Sequence, residues 1–257
     1  EDLLGPPEAK AGGAAGPRGA GGSAKEPSHE VLAALNVWVY SNETSLPGTL
    51  SAHYKIVKFI QEPRMALLES RKNNVPAMVI VAQGTSNRKD LKCDWELWQG
   101  RVPDRVQRVK ELIKEALGMC GCQRKLYLTG HSLGAAVLNI ALLQLGRTHL
   151  DALKRSIGGV VLFENPGVPE TVLVESGQEV LDCLSPKTTE FFGAPNAINT
   201  IQHHHAHLQV RVVVPCERTR RHMARCLLGS GVRVAGKVAP WVAAAAALPM
   251  VSGGAAA

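Results

Sequence analysis

The 257-residue sequence predicts an α/β fold built on a largely parallel sheet. Three observations point there. Short, continuous apolar runs end in turns rich in Gly, Pro and Asn. Helical patterns separate those runs. One run passes through Gly130-His131-Ser132-Leu133-Gly134 directly into an apolar helix. Strands buried on both faces read as unbroken apolar runs, and strands that alternate with helices are joined by crossovers.

The composition sets the bounds. Hydrophobic residues make up 45%, enough for one sizeable core, which excludes wholesale disorder; the length suits one domain. Residues 1–28 are rich in Gly, Ala, Pro and Lys and are expected to be disordered, because they bury too little apolar surface to offset the entropy of ordering. The domain is expected over residues 29–215, followed by a basic, Ala-rich segment, 216–257. Because the first residue is Glu1, no compartment is read from the sequence. The net charge of +7 is concentrated at the C-terminal end. There Arg211, Arg218, Arg220, Arg221, Arg225, Arg233 and Lys237 stand against Glu217 alone. Such a segment is expected to be solvated, with contact to an acidic surface as the alternative. It contains no nucleic-acid motif. The Ala-rich run near Trp241 contains Pro240 and falls short of the ~20 apolar residues of a membrane span. The six cysteines are scattered, and Cys120-Gly-Cys122 lacks the spacing of paired zinc ligands, so ordinary thiols, no metal and no cofactor are expected.

The elements follow in order. Val31 to Tyr40 suits a helix or a strand. Val75 to Ala82 reads as a buried strand, stopped by Gln83-Gly84-Thr85. In the segment Asp90 to Arg101, Leu91, Trp95, Leu97 and Trp98 are read as core packing, with a cover over the site as the alternative. Asp104 is expected to cap a helix in which Val106, Val109, Leu112, Ile113 and Leu117 recur at helical spacing. Gly118 lies past its end, and Arg105, Lys110, Lys114 and Glu115 take the wet face. A strand from Lys125 to Thr129 leads through the Ser132 turn into a helix, Ala135 to Leu145, apolar nearly all round. Further strands are expected at Gly159–Phe163, Thr188–Phe192 and Leu208–Val214, with a helical stretch from Glu170 to Leu184.

Gly130 to Gly134 has the form G-x-S-x-G in the setting such a motif requires, after a strand and before a helix. The turn is so sharp that the serine adopts a strained backbone. Gly130 and Gly134 are required because a Cβ at either would strike the neighbouring strand or helix. The start of the helix behind Ser132 directs free N–H groups and a positive dipole end at the reacting oxygen. The backbone N–H of Leu133 is thus a candidate oxyanion donor.

Leu126 to Leu138 resembles the nucleophile segment of the fungal-type (class 3) lipases, a family of α/β-hydrolases. Val79 to Thr85 with Asp94-Trp95 is similar to that family's R-G-T/S…D-W segment, and Val160 to Gly167 to its strand ending in a Pro-containing turn. The resemblance spans roughly residues 31–215 and implies an esterase acting on acylglycerols and related esters. It implies that Thr85 supplies a second oxyanion donor through its backbone N–H, with its hydroxyl as a further candidate. Gln83 departs from the family's Arg.

The remaining catalytic groups are read from chain order. In this fold the acid follows a later strand and the histidine follows the last one. The family's aspartate position holds Asn196, which orients a histidine but brings no charge to stabilise an imidazolium. Asp182 and Glu190 are the substitute carboxylates, one before the strand and one within it. His222, after the last strand, is the expected base. Its rivals are His203, His204, His205 and His207, which look like a segment where the family's histidine is structural. The favoured function is ester hydrolysis through an acyl-enzyme on Ser132. The alternatives are an α/β-hydrolase-fold binding protein of weak or no catalysis, because of Asn196, and acyl transfer to an acceptor other than water.

Overall fold

Val79, Ile80 and Val81 alternate across a strand, and all three are fully buried, so a layer must cover each face of the sheet. The structure, a computed structural model, describes residues 26–41, 43–71, 76–86, 88–121, 123–193 and 202–211. Residues 1–25, Asn196, His222 and the basic segment 216–257 lie outside the described residues.

The chain opens with helix α1 (His29–Tyr40) and the short α2 (Gly48–Ser51), then an antiparallel hairpin of β1 (Tyr54–Ile60) and β2 (Met65–Ser70). Strand β3 (Ala77–Ala82) pairs antiparallel to β2. From β3 onward the sheet is parallel, through β4 (Lys125–His131), β5 (Ile157–Phe163), β6 (Thr188–Phe192) and β7 (Leu208–Arg211). Between the parallel strands run α3 (Arg88–Trp98), α4 (Arg105–Cys120), α5 (Leu133–Ser156), α6 (Glu170–Ser176) and α7 (Gln178–Leu184).

The seven strands lie side by side in sequence order. Crossovers between parallel strands share one hand, so a sheet that grows in one direction places all of them on one face. The core shows that result. Met78, Ile80, Leu126, Leu128, Val160 and Leu162 pack with α4 to α7. Their strand neighbours Val79, Val81, Tyr127 and Val161 point the other way and meet α1 through Leu32, Leu35, Trp38 and Val39. The open choice at Val31–Tyr40 resolves as helix, because the second face has to be covered. Ser28 caps this helix, its Oγ accepting from the Val31 N–H at 3.4 Å.

Several expectations change. The β1–β2 hairpin was not read from the sequence; it makes the sheet mixed. Asp104 stands at the start of α4 but its side chain caps nothing, and the helix runs past Gly118 to Cys120, ending at Gly121 with φ +56°. Arg105 leaves the wet face and is buried, its guanidinium reaching inward to Asp90 and the Gln83 carbonyl. The helix after Ser132 is longer than expected, with a non-helical residue at His149. The stretch Glu170–Leu184 is two helices parted at Gly177, whose φ of +80° breaks the rod. Trp95 and Trp98 do not pack in the core: they are 49% and 54% exposed, and among the described residues the buried tryptophan is Trp38.

Because α1 covers β3 to β5 on this sheet face and Leu35 is fully buried there, Leu35→Ala is expected to destabilise the fold by about 2–5 kcal/mol. Denaturant unfolding of the purified variant beside wild type measures this.

Candidate active site

Strand β4 leaves the sheet at His131, and α5 begins at Leu133, so one residue makes the whole turn. That residue, Ser132, has φ +53° and ψ −127°. A side chain rarely tolerates positive φ, and a non-glycine residue held there marks a position over-determined by its surroundings. The surroundings are backbone. A Cβ at Gly130 would lie 2.7 Å from the Gly134 carbonyl carbon and 2.8 Å from the Ala135 nitrogen; one at Gly134 would lie 2.3 Å from the Ala82 oxygen at the end of β3. Both positions therefore have to be glycine, for the reason expected. The Ser132 N–H continues the sheet ladder to the Phe163 oxygen at 2.9 Å, while its carbonyl accepts from Ala135 and Ala136. The side chain is half-buried at the C-terminal edge of the sheet, and no side chain caps α5. The N–H groups of Leu133 and Gly134 thus open the helix, where the first turn has no carbonyl partner of its own.

The loop Gln83–Ser86, after β3, lies directly against this turn. A Cβ at Gly84 would stand 2.6 Å from the His131 oxygen and 3.2 Å from the Ser132 Cβ. Three side chains from α3 and α4 hold the loop on one side. Thr85 donates its hydroxyl to Asp94 Oδ2 at 2.6 Å. Ser86 donates its N–H to Asp90 Oδ2 at 2.9 Å, and its hydroxyl to the same oxygen at 3.0 Å. Arg105 donates to Asp90 Oδ1 at 3.3 Å and to the Gln83 carbonyl, so an arginine from α4 braces the start of the loop. The Thr85 hydroxyl is committed to Asp94. Burial raises Asp94 from the usual carboxylate range to about 6, against the opposing pull of the Thr85 hydroxyl.

Tyr40 was not singled out in the sequence. It ends α1 with an exposed ring edge but an enclosed hydroxyl, which accepts from the Gly84 N–H at 2.8 Å and meets His131 Nδ1 at 2.9 Å. Burial keeps this phenol protonated and holds the His131 imidazole below its ordinary range. The simplest proton assignment has the Tyr40 O–H donating to Nδ1 of a neutral His131, whose own proton sits on Nε2. Only a residue at the end of a helix packed across the sheet reaches both the loop and the turn.

The histidine cluster lies elsewhere. His204 Nδ1 bonds Glu190 Oε2 at 2.8 Å, and Glu190, fully buried in β6, also accepts from Asn165 Nδ2 at 2.6 Å. His205 spans Asn139 Oδ1 at 2.8 Å and Ser185 Oγ at 3.1 Å, with burial lowering its proton affinity. Glu190 and Asn139 belong to the face covered by α5, below the turn. Asp182 sits exposed on α7, accepting from Gln178 at 2.8 Å. Among the described residues, no side chain hydrogen-bonds the Ser132 hydroxyl and no group of three or more His, Cys, Asp or Glu is arranged to hold a metal ion. Asn196 and His222 lie outside the described residues. The structure thus brings Ser132 and Leu133 beside the loop that carries Thr85, and it ties His204 to Glu190 and His205 to Asn139 and Ser185.

Two measurements follow from the loop. Tyr40→Phe strips the Gly84 N–H of its acceptor and should cost about 1–3 kcal/mol in denaturant unfolding. For Asp94, the folded protein binds a proton between pH 3.8 and about 6 that the unfolded chain has released. Its contribution is therefore full below pH 3.8 and is lost as pH rises through 6. Asp94→Asn keeps an acceptor for Thr85, so the variant should show a smaller loss of stability over that window.

No family model matches the chain, and no curated protein matches it. Among solved structures it is similar to a fungal lipase in an inhibitor complex, at 15% identity and TM-score 0.46, over 66% of this chain and 71% of that one. It is similar to the triacylglyceride lipase of Rhizomucor miehei, at 16% identity and TM-score 0.46, over the same shares. It is also similar to a mutant form of MDLA from Penicillium cyclopium, at 15% identity and TM-score 0.46, over 73% of this chain and 79% of that one. Its own strand order, crossover helices and strained serine turn give the chain an α/β-hydrolase fold.

Proposed function

We propose that the protein is a serine esterase that hydrolyses carboxylic esters, with acylglycerols or other lipid esters as its substrate class. The observation that carries this reading is the Ser132 backbone at φ +53°, kept there by glycines whose Cβ positions are filled by neighbouring backbone. Such strain is maintained where a hydroxyl has to stand clear of the sheet edge with amide hydrogens beside it.

In this mechanism the Ser132 oxygen attacks the ester carbonyl while its proton passes to the base, for which chain order favours His222. The tetrahedral oxyanion is met by the backbone N–H groups of Leu133 and Thr85. The network of Asp94, Asp90 and Arg105 keeps the Thr85 loop in place before substrate arrives, so no reorganisation is spent during reaction. Collapse of the intermediate expels the alcohol, which takes the proton from the base, and water then releases the acid by the same steps in reverse. The exposed Leu91, Trp95 and Trp98 on α3, beside Asp94, offer an apolar surface compatible with lipid chains. The chemistry uses no cofactor.

Hydrolysis of a short-chain p-nitrophenyl ester tests the reading. Ser132→Ala should lose at least ~1000-fold in turnover, and an alkyl fluorophosphonate should label wild type and not this variant. Absence of labelling in folded wild type would instead favour a ligand-binding protein. His222→Ala should cripple turnover, whereas His204→Ala strands the buried Glu190 carboxylate and should cost ~3–5 kcal/mol of stability with turnover per folded molecule retained.

A further inference from the structure

We propose that Tyr40 is a positioning residue for the reaction: its phenol clamps the Gln83–Gly84 peptide and so fixes the Thr85 N–H for the oxyanion. This rests on the esterase reading above. The two oxyanion donors of that reading come from different elements, Leu133 from the first turn of α5 and Thr85 from the loop after β3. Their spacing is set by whatever joins that loop to the serine turn.

The joint is one peptide group held from both faces of the sheet. In a trans peptide the C=O and N–H share a plane and point opposite ways. The Gln83 carbonyl accepts from Arg105, on α4. The Gly84 N–H of the same plane donates to the Tyr40 hydroxyl, on α1, at 2.8 Å. Helices α4 and α1 belong to opposite layers, so the plane is tied at both edges and resists rotation. The tie is needed because Gly84 has to lack a side chain. A Cβ there would stand 2.6 Å from the His131 oxygen and would fall on the Tyr40 hydroxyl. Glycine leaves the torsions about its Cα soft, and the next peptide is the one that carries the Thr85 N–H. Clamping the peptide before it, while the Thr85 hydroxyl is held by Asp94 beyond it, removes that freedom.

Tyr40 is itself anchored as the last residue of α1. Buried Trp38, two positions earlier, donates its indole N–H to the Ser45 oxygen at 2.8 Å. The Trp38 carbonyl accepts from both the N–H and the hydroxyl of Ser41, each at 2.8 Å. The phenol makes a second bond, to His131 Nδ1 at 2.9 Å, with the rings edge to face and their centroids 5.6 Å apart. Donating to Nδ1 of a neutral His131 makes the phenol oxygen a stronger acceptor for Gly84. His131 directly precedes Ser132, so one hydroxyl joins the oxyanion loop to the nucleophile turn. Phenylalanine would fill the same space and join nothing.

The test compares wild type, Tyr40→Phe and Leu35→Ala in the full chain. It measures kcat and KM on a p-nitrophenyl ester, inhibition by an alkyl trifluoromethyl ketone, and denaturant unfolding. The ketone forms a tetrahedral adduct on a serine and so reports the oxyanion contacts directly. Tyr40→Phe should lose at least ~10-fold in kcat per folded molecule with KM within ~2-fold, and ketone affinity should weaken in parallel. Leu35→Ala destabilises the same helix through an apolar contact alone and should keep both kcat per folded molecule and ketone affinity. Tyr40→3-fluorotyrosine, which keeps the ring and weakens its oxygen as an acceptor, should show a smaller loss in the same direction. Wild-type kcat and ketone affinity in folded Tyr40→Phe would overturn the proposal, as would an equal loss in Leu35→Ala; both leave the esterase reading standing. Folded wild type that neither hydrolyses the ester nor binds the ketone would overturn that reading as well.

Discussion

The site depends on backbone packed against backbone where the ends of β3 and β4 meet the first turn of α5. At Gly130, Gly134 and Gly84 the space a Cβ would take already holds main-chain atoms, or in the last case also the Tyr40 hydroxyl. Close approach of this kind has little compliance, since no side-chain rotamer can relieve it. It fixes Ser132 in a conformation the residue would not choose, and it fixes the Gly84–Thr85 loop at the distance the turn demands. The geometry beside the hydroxyl is therefore a property of the core and not of a mobile surface.

Polar groups around that contact divide into two sets with separate tasks. On one side, Asp90, Asp94 and Arg105 bind the loop from helices α3 and α4. Tyr40 binds it from α1 on the opposite face of the sheet. Deeper, Glu190, His204 and Asn165 tie the end of the chain's described part to β6, and His205 ties it to α5. A buried pair like Glu190 and His204 is costly to break, which gives the histidine just before β7 a place in the stability of the fold.

Much of this arrangement could be read from residues alone, and the limits have physical causes. The parallel strands were legible because burial on both faces forces an unbroken apolar run, as in Ala77–Ala82. The serine turn was legible because few other sequences permit it. The edge hairpin was not: Tyr54–Ile60 mixes Lys55 and Lys58 with apolar residues, as an edge strand does, and Met65–Ser70 carries no β-branched residue. Arg105 reads as a surface helix residue until its carboxylate partner, fifteen positions earlier, is brought beside it. Trp95 and Trp98 follow a general preference for burial that α3 does not satisfy. Tyr40 gave no local signal, since its importance lies in what the sheet places next to it.

The paired positive φ angles at Ser132 and Glu164 carry an energetic consequence. Each such angle costs on the order of 1–3 kcal/mol, which the surrounding structure has to absorb. Glycine would relieve that cost at either strand end, so the rigidity of the packed backbone beneath these two turns is spent on holding side chains at the sheet's C-terminal rim.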